Sequence, residues 1–308
     1  MPTSQSSPAA LNQQVIAEFR ARSGRVGGMF EGAPLLLLTT TGARSGRLHT
    51  TPAVYARDGD RLLVFASNAG APRHPAWYHN LLADPRVSYE IGTGDGRVTR
   101  FAATAEPLRG PARERAYEEQ CARDPAFTAY RAATTREIPV IVLHRPDFTD
   151  PARTRAIGEF LLRVHGELRE QLASLLARFD TAPDTPETRP LALHCLTLCT
   201  ALHGHHTNED GAFTDLAHRF PELAPAIERL RRDHTRVAAM VQDIERLAEQ
   251  LDADPADPAH LRADPAHIPA NPARLRAELL TLTADLERHF AYEEEQLLPT
   301  LFGTAGSR

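Results

Sequence analysis

Two short stretches near the C-terminal end of the chain pair an imidazole with a carboxylate at a spacing suited to metal binding. His205 and Glu209 are four positions apart, and so are His289 and Glu293. On an α-helix this spacing is about one turn, so both side chains of a pair project from the same face. Imidazole suits iron, and carboxylates can span two cations while offsetting their charge. Each pair therefore predicts two ligands for a metal site.

Two of these ligand roles have competing candidates. His203 and His206 compete with His205, and His206 lies three positions before Glu209, which also directs it roughly toward the carboxylate. Glu294 is an alternative to the acid directly before it. The spacing alone leaves these choices open.

The elements that carry these residues are helical. Apolar residues recur at helical spacing in four stretches: 157–176, 191–216, 224–251 and 275–301. The lone histidines His165 and His234 lie on the first and third stretches, so a four-helix bundle over residues 152–304 would give each helix a ligand for a central pair of metal ions. This arrangement indicates non-haem di-iron. Repeated X-Pro pairs predict a loop over residues 252–272, because proline removes a donor and disfavours helical geometry before it.

The first half of the chain, residues 1–148, is predicted to be rich in β-strands. Short apolar or β-branched runs mark six strands: 35–41, 50–57, 61–67, 87–91, 98–104 and 139–143. Asp58-Gly59-Asp60 and the glycine-rich stretch 92–96 predict hairpins between them. Helices are predicted at 75–82 and 110–122. Close strand spacing favours antiparallel pairing, so the expected fold class is α+β with two domains, a small open or split β-barrel followed by the bundle.

Composition limits the classes of partner. The 308 residues include 40 acidic and 35 basic ones, and none is lysine. A general nucleic-acid binder would show a basic excess, so no nucleic-acid partner is expected. No apolar run approaches the roughly 20 residues that a transmembrane helix needs, and the N-terminus lacks a signal-peptide pattern. We therefore expect a cytoplasmic protein. The expected assemblies include a homodimer.

Residues 154–302 resemble the hemerythrin-like, HHE cation-binding family. The resemblance rests on His165, both HxxxE pairs, Asp233-His234 and the ending Leu297-Leu298-Pro299. It implies two irons bridged by the glutamates and bound by His165, His205, Glu209, His234, His289 and Glu293. It also implies that the iron centre binds dioxygen, peroxide or nitric oxide. Where a respiratory hemerythrin would carry a histidine one turn after His234, this chain has Ala238, so at least one coordination position is open or filled otherwise.

Residues 19–145 resemble the deazaflavin-dependent nitroreductase family, whose members have a split β-barrel and use coenzyme F420. The motifs that carry the resemblance are LTTTGARSG at 38–46, Thr51-Pro52, ASNAGA at 66–71, PAWYHNL at 75–81 and Ile138-Pro139. The resemblance implies hydride transfer from the reduced deazaflavin to a small-molecule acceptor of the quinone, enone or nitroaromatic type.

The family pattern also implies where the cofactor binds. Its phosphate and acidic tail would lie against Ala43, Arg44, Ser45, His49, Thr50, Thr51, Pro52, Ala53 and Val54. Its ring would lie against Phe65, Ala66, Ser67, Asn68, Ala76, Trp77, Tyr78, His79 and Asn80. The turn at residues 44–47 supports this placement, because it offers backbone donors, a hydroxyl and fixed cations to a phosphodiester and to carboxylates. Tyr130 falls where family members place a tyrosine near the substrate, so it is the candidate catalytic residue.

Three functional hypotheses follow. The leading one is a bifunctional redox protein, an F420-dependent oxidoreductase domain joined to a di-iron domain that consumes or senses its ligand. In the second, the bundle senses or stores iron and the barrel sequesters F420 without turnover. In the third, the barrel binds FMN or haem, as related split barrels do, and the bundle is structural.

Overall fold

The chain folds into two compact units. A computed structural model describes residues 8–181, 188–252 and 272–304. One unit comprises residues 1–146 with 207–215, and the other comprises residues 147–206 with 216–308. The first contains a β-barrel and the second contains long helices, which confirms the fold class that the sequence predicts.

The barrel is a closed antiparallel sheet of six strands. They are β1 (Leu35–Thr41), β2 (Leu48–Asp58), β3 (Arg61–Phe65), β4 (Arg86–Gly92), β5 (Val98–Pro107) and β6 (Val140–His144). The strand order is β1-β2-β3-β6-β5-β4, and the sheet closes because β1 pairs with both β2 and β4. The hairpin predicted at Asp58-Gly59-Asp60 joins β2 to β3, and Gly59 adopts a φ of 59° there.

The continuous apolar run of β1 is buried on both faces. Leu36 and Leu38 face the barrel core, whereas the alternate leucines pack against α1 (Pro8–Ala21), including Phe19. A strand buried on both faces loses the alternation of apolar and polar residues. Helix α1 was not predicted from the sequence, and it is the element that covers the outer face of β1.

Short helices lie between the strands. The two that the sequence predicts are α2 (Ala76–Ala83) and α3 (Gly110–Arg123). A further helix, α4 (Pro125–Ala132), was not predicted. Asp124 caps it, because its carboxylate accepts a hydrogen bond from the backbone N–H of Ala126 at 3.0 Å. An aspartate followed by proline is the local signal for such a helix start.

Four long helices follow the barrel along the chain, as predicted. They are α5 (Pro151–Thr181), α6 (Thr188–Arg219), α7 (Ala224–Asp252) and α8 (Pro272–Leu301). All four contribute buried leucines or other apolar residues to one shared core, so packing of amphipathic faces holds them together. The loop predicted at 252–272 lies almost wholly outside the described residues. Within the described ranges, no helix has the length and apolar character needed to cross a bilayer.

Candidate metal centre and cofactor surface

Seven buried or half-buried side chains of the four long helices converge on one place. They form two groups of four, and in each group one ligand atom per residue lies within 4.8 Å of the others. The first group is His165, His205, Glu209 and Glu293. The second group is His206, Glu209, His234 and His289. Every one of the four helices supplies at least one member, which is the convergence that the spacing of the sequence predicts.

Two carboxylates connect the groups. Glu209 belongs to both. Oε2 of Glu293 lies 3.5 Å from Nε2 of His165 and 3.6 Å from Nε2 of His289, so it reaches one imidazole of each group. Carboxylates shared in this way suit two cations held side by side, because each acid offsets part of the charge of both.

His206 is the residue that the six-ligand set lacks. It and His205 are neighbours in sequence, but successive helical residues point about 100° apart, and the two imidazoles enter different groups. The His206 ring stacks on that of His234 with centroids 4.2 Å apart. His203 is exposed and belongs to neither group. The fifth imidazole of the two groups therefore comes from α6. The resemblance to hemerythrins would place a fifth histidine on α7, at the position that Ala238 occupies.

Glu293 and Glu294 occupy different environments. The Glu293 carboxylate is fully buried within the first group. Glu294 lies outside both groups, and its Oε1 accepts hydrogen bonds from Nδ1 of His165 at 2.8 Å and from Arg169 at 3.1 Å. A carboxylate only accepts, so Nδ1 of His165 carries the proton and Nε2 is the nitrogen that suits a metal ion.

The burial and charge of these groups fit a metal pair. Among the described residues, Nε2 of His206, Nδ1 of His289 and both carboxylate oxygens of Glu293 are buried and make no hydrogen bond. Each such buried polar atom lowers the free energy of unfolding by about 1–3 kcal/mol unless a ligand satisfies it. Burial lowers the pKa of His205 and His206 well below 6.5, and neighbouring imidazoles act in the same direction. Burial also lowers the pKa of His289 to about 4. Neutral imidazole is the form that binds a metal ion.

In the barrel, the predicted tail-binding residues surround the turn between β1 and β2. The turn is closed by hydrogen bonds from the N–H of Gly42 to the carbonyl of Arg47 at 2.8 Å and from the N–H of Gly46 to the carbonyl of Gly42 at 2.7 Å. A Cβ on Gly42 would lie 2.5 Å from Oγ of Ser45 and 2.8 Å from Nε2 of His49, so these two side chains pack directly against the glycine. Arg44 and Ser45 are exposed at its tip. The turn thus presents a cation and a hydroxyl to solvent.

Asn80 joins this turn to α2. Its Nδ2 donates to Oγ1 of Thr40 at 3.0 Å, and its Oδ1 accepts from the N–H of Ala43 at 3.1 Å. The two parts of the predicted cofactor surface, the turn and α2, are therefore adjacent in the fold.

The remaining predicted cofactor residues differ in exposure. Buried members are Ala53, Phe65, Ala66 and Trp77. Half-buried members are Thr50, Thr51, Pro52, Val54, Ser67 and Tyr78, and exposed ones are His49, Asn68, Ala76 and His79. Trp77 packs in the barrel core, and Phe65 packs edge-on against Tyr117 and Phe127. The half-buried and exposed side chains are the ones that a cofactor can reach. Tyr130 is half-buried, with its ring 5.4 Å from that of Phe127.

Comparison with known proteins identifies both halves of the chain. A family model described as F420H(2)-dependent quinone reductase matches residues 11–145, and one described as hemerythrin HHE cation binding domain matches residues 156–301. An F420H(2)-dependent quinone reductase of Mycobacterium tuberculosis is 42% identical over 133 residues, which cover 42% of this chain and 86% of that protein. The chain belongs to the F420H(2)-dependent quinone reductase family.

Two further proteins are similar to the first half of the chain. A protein from Mycobacterium bovis shows the same identity over the same share of both chains. The solved structure of an F420-H2 dependent reductase, FDR-A, is 34% identical and covers 36% of this chain and 94% of its own, with a TM-score of 0.32. The two family models together make the protein a fusion of a reductase domain with a hemerythrin HHE domain, which confirms both resemblances.

Proposed function

We propose that the reductase domain binds coenzyme F420 and catalyses hydride transfer from its reduced form to a quinone-type acceptor. The observation that carries this proposal is the basic turn at residues 42–47, joined by Asn80 to α2. This surface offers the fixed cation of Arg44, the hydroxyl of Ser45 and backbone donors to an anionic tail. The named activity of the relatives supports the same chemistry.

The residues of the domain have distinct tasks in this proposal. Arg44 and Ser45 bind the phosphate and the acidic tail, whereas Tyr78 and His79 on α2 flank the ring. Reduced F420, when bound, supplies the hydride. Tyr130 either orders the segment above the acceptor or donates a proton to it. Holding the acceptor in line with the donor is the main contribution of the protein to the rate.

Titration with reduced F420, followed by addition of menadione, tests this function. We expect saturable binding of F420 and its oxidation only when the quinone is present. Binding without oxidation would replace the enzyme with a domain that sequesters F420. Flavin or haem absorption bands in the isolated protein, without F420 binding, would overturn the proposal in favour of the third hypothesis.

We also propose that the hemerythrin HHE domain binds two iron ions through its seven converging side chains. The two groups of ligands connected by Glu209 and Glu293 support a pair of cations. A bound iron pair supplies a redox centre for dioxygen, peroxide or nitric oxide, which the domain consumes or senses. The side chains hold the cations, and Glu294 keeps the His165 imidazole in the tautomer that presents Nε2.

Replacement of His206 by alanine tests the composition of this site. We expect the iron content to fall from about two per chain to about one, because the second group loses one of its three imidazoles. His203→Ala is the matched control, since His203 lies on the same helix but is exposed and outside both groups. Metal analysis of the purified variants measures both. Equal iron contents would contradict the assignment of His206.

A further inference from the structure

The loop between β3 and α2 has a strained backbone. Asn68 and Ala69 adopt φ angles of 48° and 50°, and Gly70 follows with 76°. The left-handed region is unfavourable for residues that carry a Cβ, and the methyl group of Ala69 offers no hydrogen bond to offset this. Such a conformation persists only where the surrounding structure fixes it.

Arg136 holds both ends of this strained turn. Its Nε donates to the carbonyl of Ala71 at 2.9 Å, its Nη1 donates to that of Ala66 at 3.1 Å, and its Nη2 donates to that of Ser67 at 2.6 Å. Arg136 lies between α4 and β6, so these bonds connect the loop to a segment at least 65 positions away in sequence. A planar guanidinium is suited to several such bonds at once.

Gly70 anchors the same loop independently. A Cβ at this position would lie 2.8 Å from Cβ of Ala133 and 3.0 Å from the carbonyl oxygen of Tyr130, at the end of α4. Only glycine allows this close approach together with the positive φ. The loop is therefore fixed both by the hydrogen bonds of Arg136 and by direct packing.

Arg136 also sets the protonation pattern of His74. Its Nη1 lies 3.0 Å from Nδ1 of His74. A guanidinium cannot accept a hydrogen bond, so Nδ1 accepts and Nε2 carries the proton of the neutral ring. The His74 ring lies 4.9 Å from that of Tyr78, which is one of the expected ring-binding residues. One arginine thus controls both the loop and a donor beside α2.

We propose that Arg136 is a positioning residue of the reductase domain, which fixes residues 66–71 and the tautomer of His74 so that F420 meets a preformed surface. This inference rests on the proposed binding of F420. Arg136 acts through the groups that it holds, since its donors are directed to backbone carbonyls and to His74. A preformed surface raises affinity because less conformational freedom is lost on binding.

Titration of F420 into single and double variants tests this role. We expect Arg136→Ala and Gly70→Ala each to raise Kd by about tenfold or more, and the double variant to lose little beyond either one, because both disturb the same loop. Arg136→Lys should restore little, since an ammonium cannot form the planar set of bonds. Arg131→Ala is the control, because Arg131 is an exposed residue of α4; its Kd should stay within about twofold of wild type.

Two measurements without F420 separate this role from a loss of folding. In Arg136→Ala, amides of residues 66–74 should exchange faster while those of the barrel strands keep their wild-type rates, and the ring nitrogen shifts of His74 should report mixed tautomers. If the wild-type protein binds F420 and Arg136→Ala leaves the Kd unchanged, the role of Arg136 is overturned while the proposed function stands. Additive effects of Arg136→Ala and Gly70→Ala would have the same consequence. Failure of the wild-type protein to bind F420 would overturn the proposed function and this role together.

Discussion

Two adjacent acids on α8 differ in what they contact. Glu293 is buried with its carboxylate between imidazoles of both groups, whereas Glu294 is partly exposed and receives hydrogen bonds from His165 and Arg169. The first acid is placed to meet a cation, and the second orients an imidazole. A neighbouring pair of the same residue type therefore provides a matched comparison.

Glu293→Gln should remove most of the bound iron, because the amide carries no charge to offset two cations. Glu294→Gln should retain iron at high metal concentration but weaken its binding by about 10–100-fold, as expected for a group that orients a ligand. Competitive titration with a chelator measures both affinities. A greater loss in Glu294→Gln would reverse the roles of the two acids.

Arg44→Ala should weaken F420 binding by roughly 10–100-fold, since a hydrogen bond to a charged group contributes about 1.5–3 kcal/mol. Arg109→Ala should leave the affinity near that of wild type, because Arg109 is exposed at the start of α3 and lies outside the basic turn. Fluorescence titration gives the two dissociation constants. Equal effects would contradict the placement of the cofactor tail.

The long helices hold the seven converging side chains in place through their apolar faces. Leucines of α8 alternate between burial in the shared core and exposure to solvent according to helical periodicity. Leu282 is completely buried, whereas Leu280 is 43% exposed only two positions away. Because the helix sets the direction of His289 and Glu293, the stability of its packing also determines how precisely these side chains are placed.

Leu282→Ala should lower the free energy of unfolding of the helical unit by about 2–5 kcal/mol, the usual cost of a cavity in a packed core. Leu280→Ala should change it by less than about 0.5 kcal/mol. Denaturation followed by far-ultraviolet circular dichroism, which reports mainly the helices, measures both. A similar loss in both variants would argue against the packing of α8 described above.

Each of the two units has a core of its own, so each can be followed separately during unfolding. Trp77 is the only tryptophan of the 308 residues, and it lies in the barrel core. Its fluorescence therefore reports the reductase domain, whereas far-ultraviolet circular dichroism is dominated by the four long helices. No label is needed to distinguish the domains.

Removal of iron by a chelator should lower the melting temperature seen by circular dichroism by about 5–10 °C. A ligand at 100 times its Kd contributes about 2.7 kcal/mol to the native state, which corresponds to a shift of this size in a domain of about 150 residues. The transition of Trp77 fluorescence should stay in place. A shift confined to Trp77, or no shift at all, would contradict a metal site within the helices.

The sequence by itself determined most of the element types and the spacing of the candidate metal ligands. Helical periodicity, the HxxxE spacing and the hairpin at Asp58-Gly59-Asp60 are local properties, since each depends on residues within a turn or two of one another. The capped start of α4 is equally local, because it depends on Asp124 and on the proline that follows it. The apolar pattern of α1 became interpretable only once β1 was known to be buried on both faces.

Tertiary structure alone decided which side chains meet. One position along a helix rotates a side chain by about 100°, so the choice among His203, His205 and His206 depends on how α6 is rotated against its neighbours. The same holds for Glu293 and Glu294 on α8. Arg136 reaches a loop at least 65 positions away, and no spacing within the sequence could indicate that contact, because it arises from the antiparallel pairing of β3 with β6.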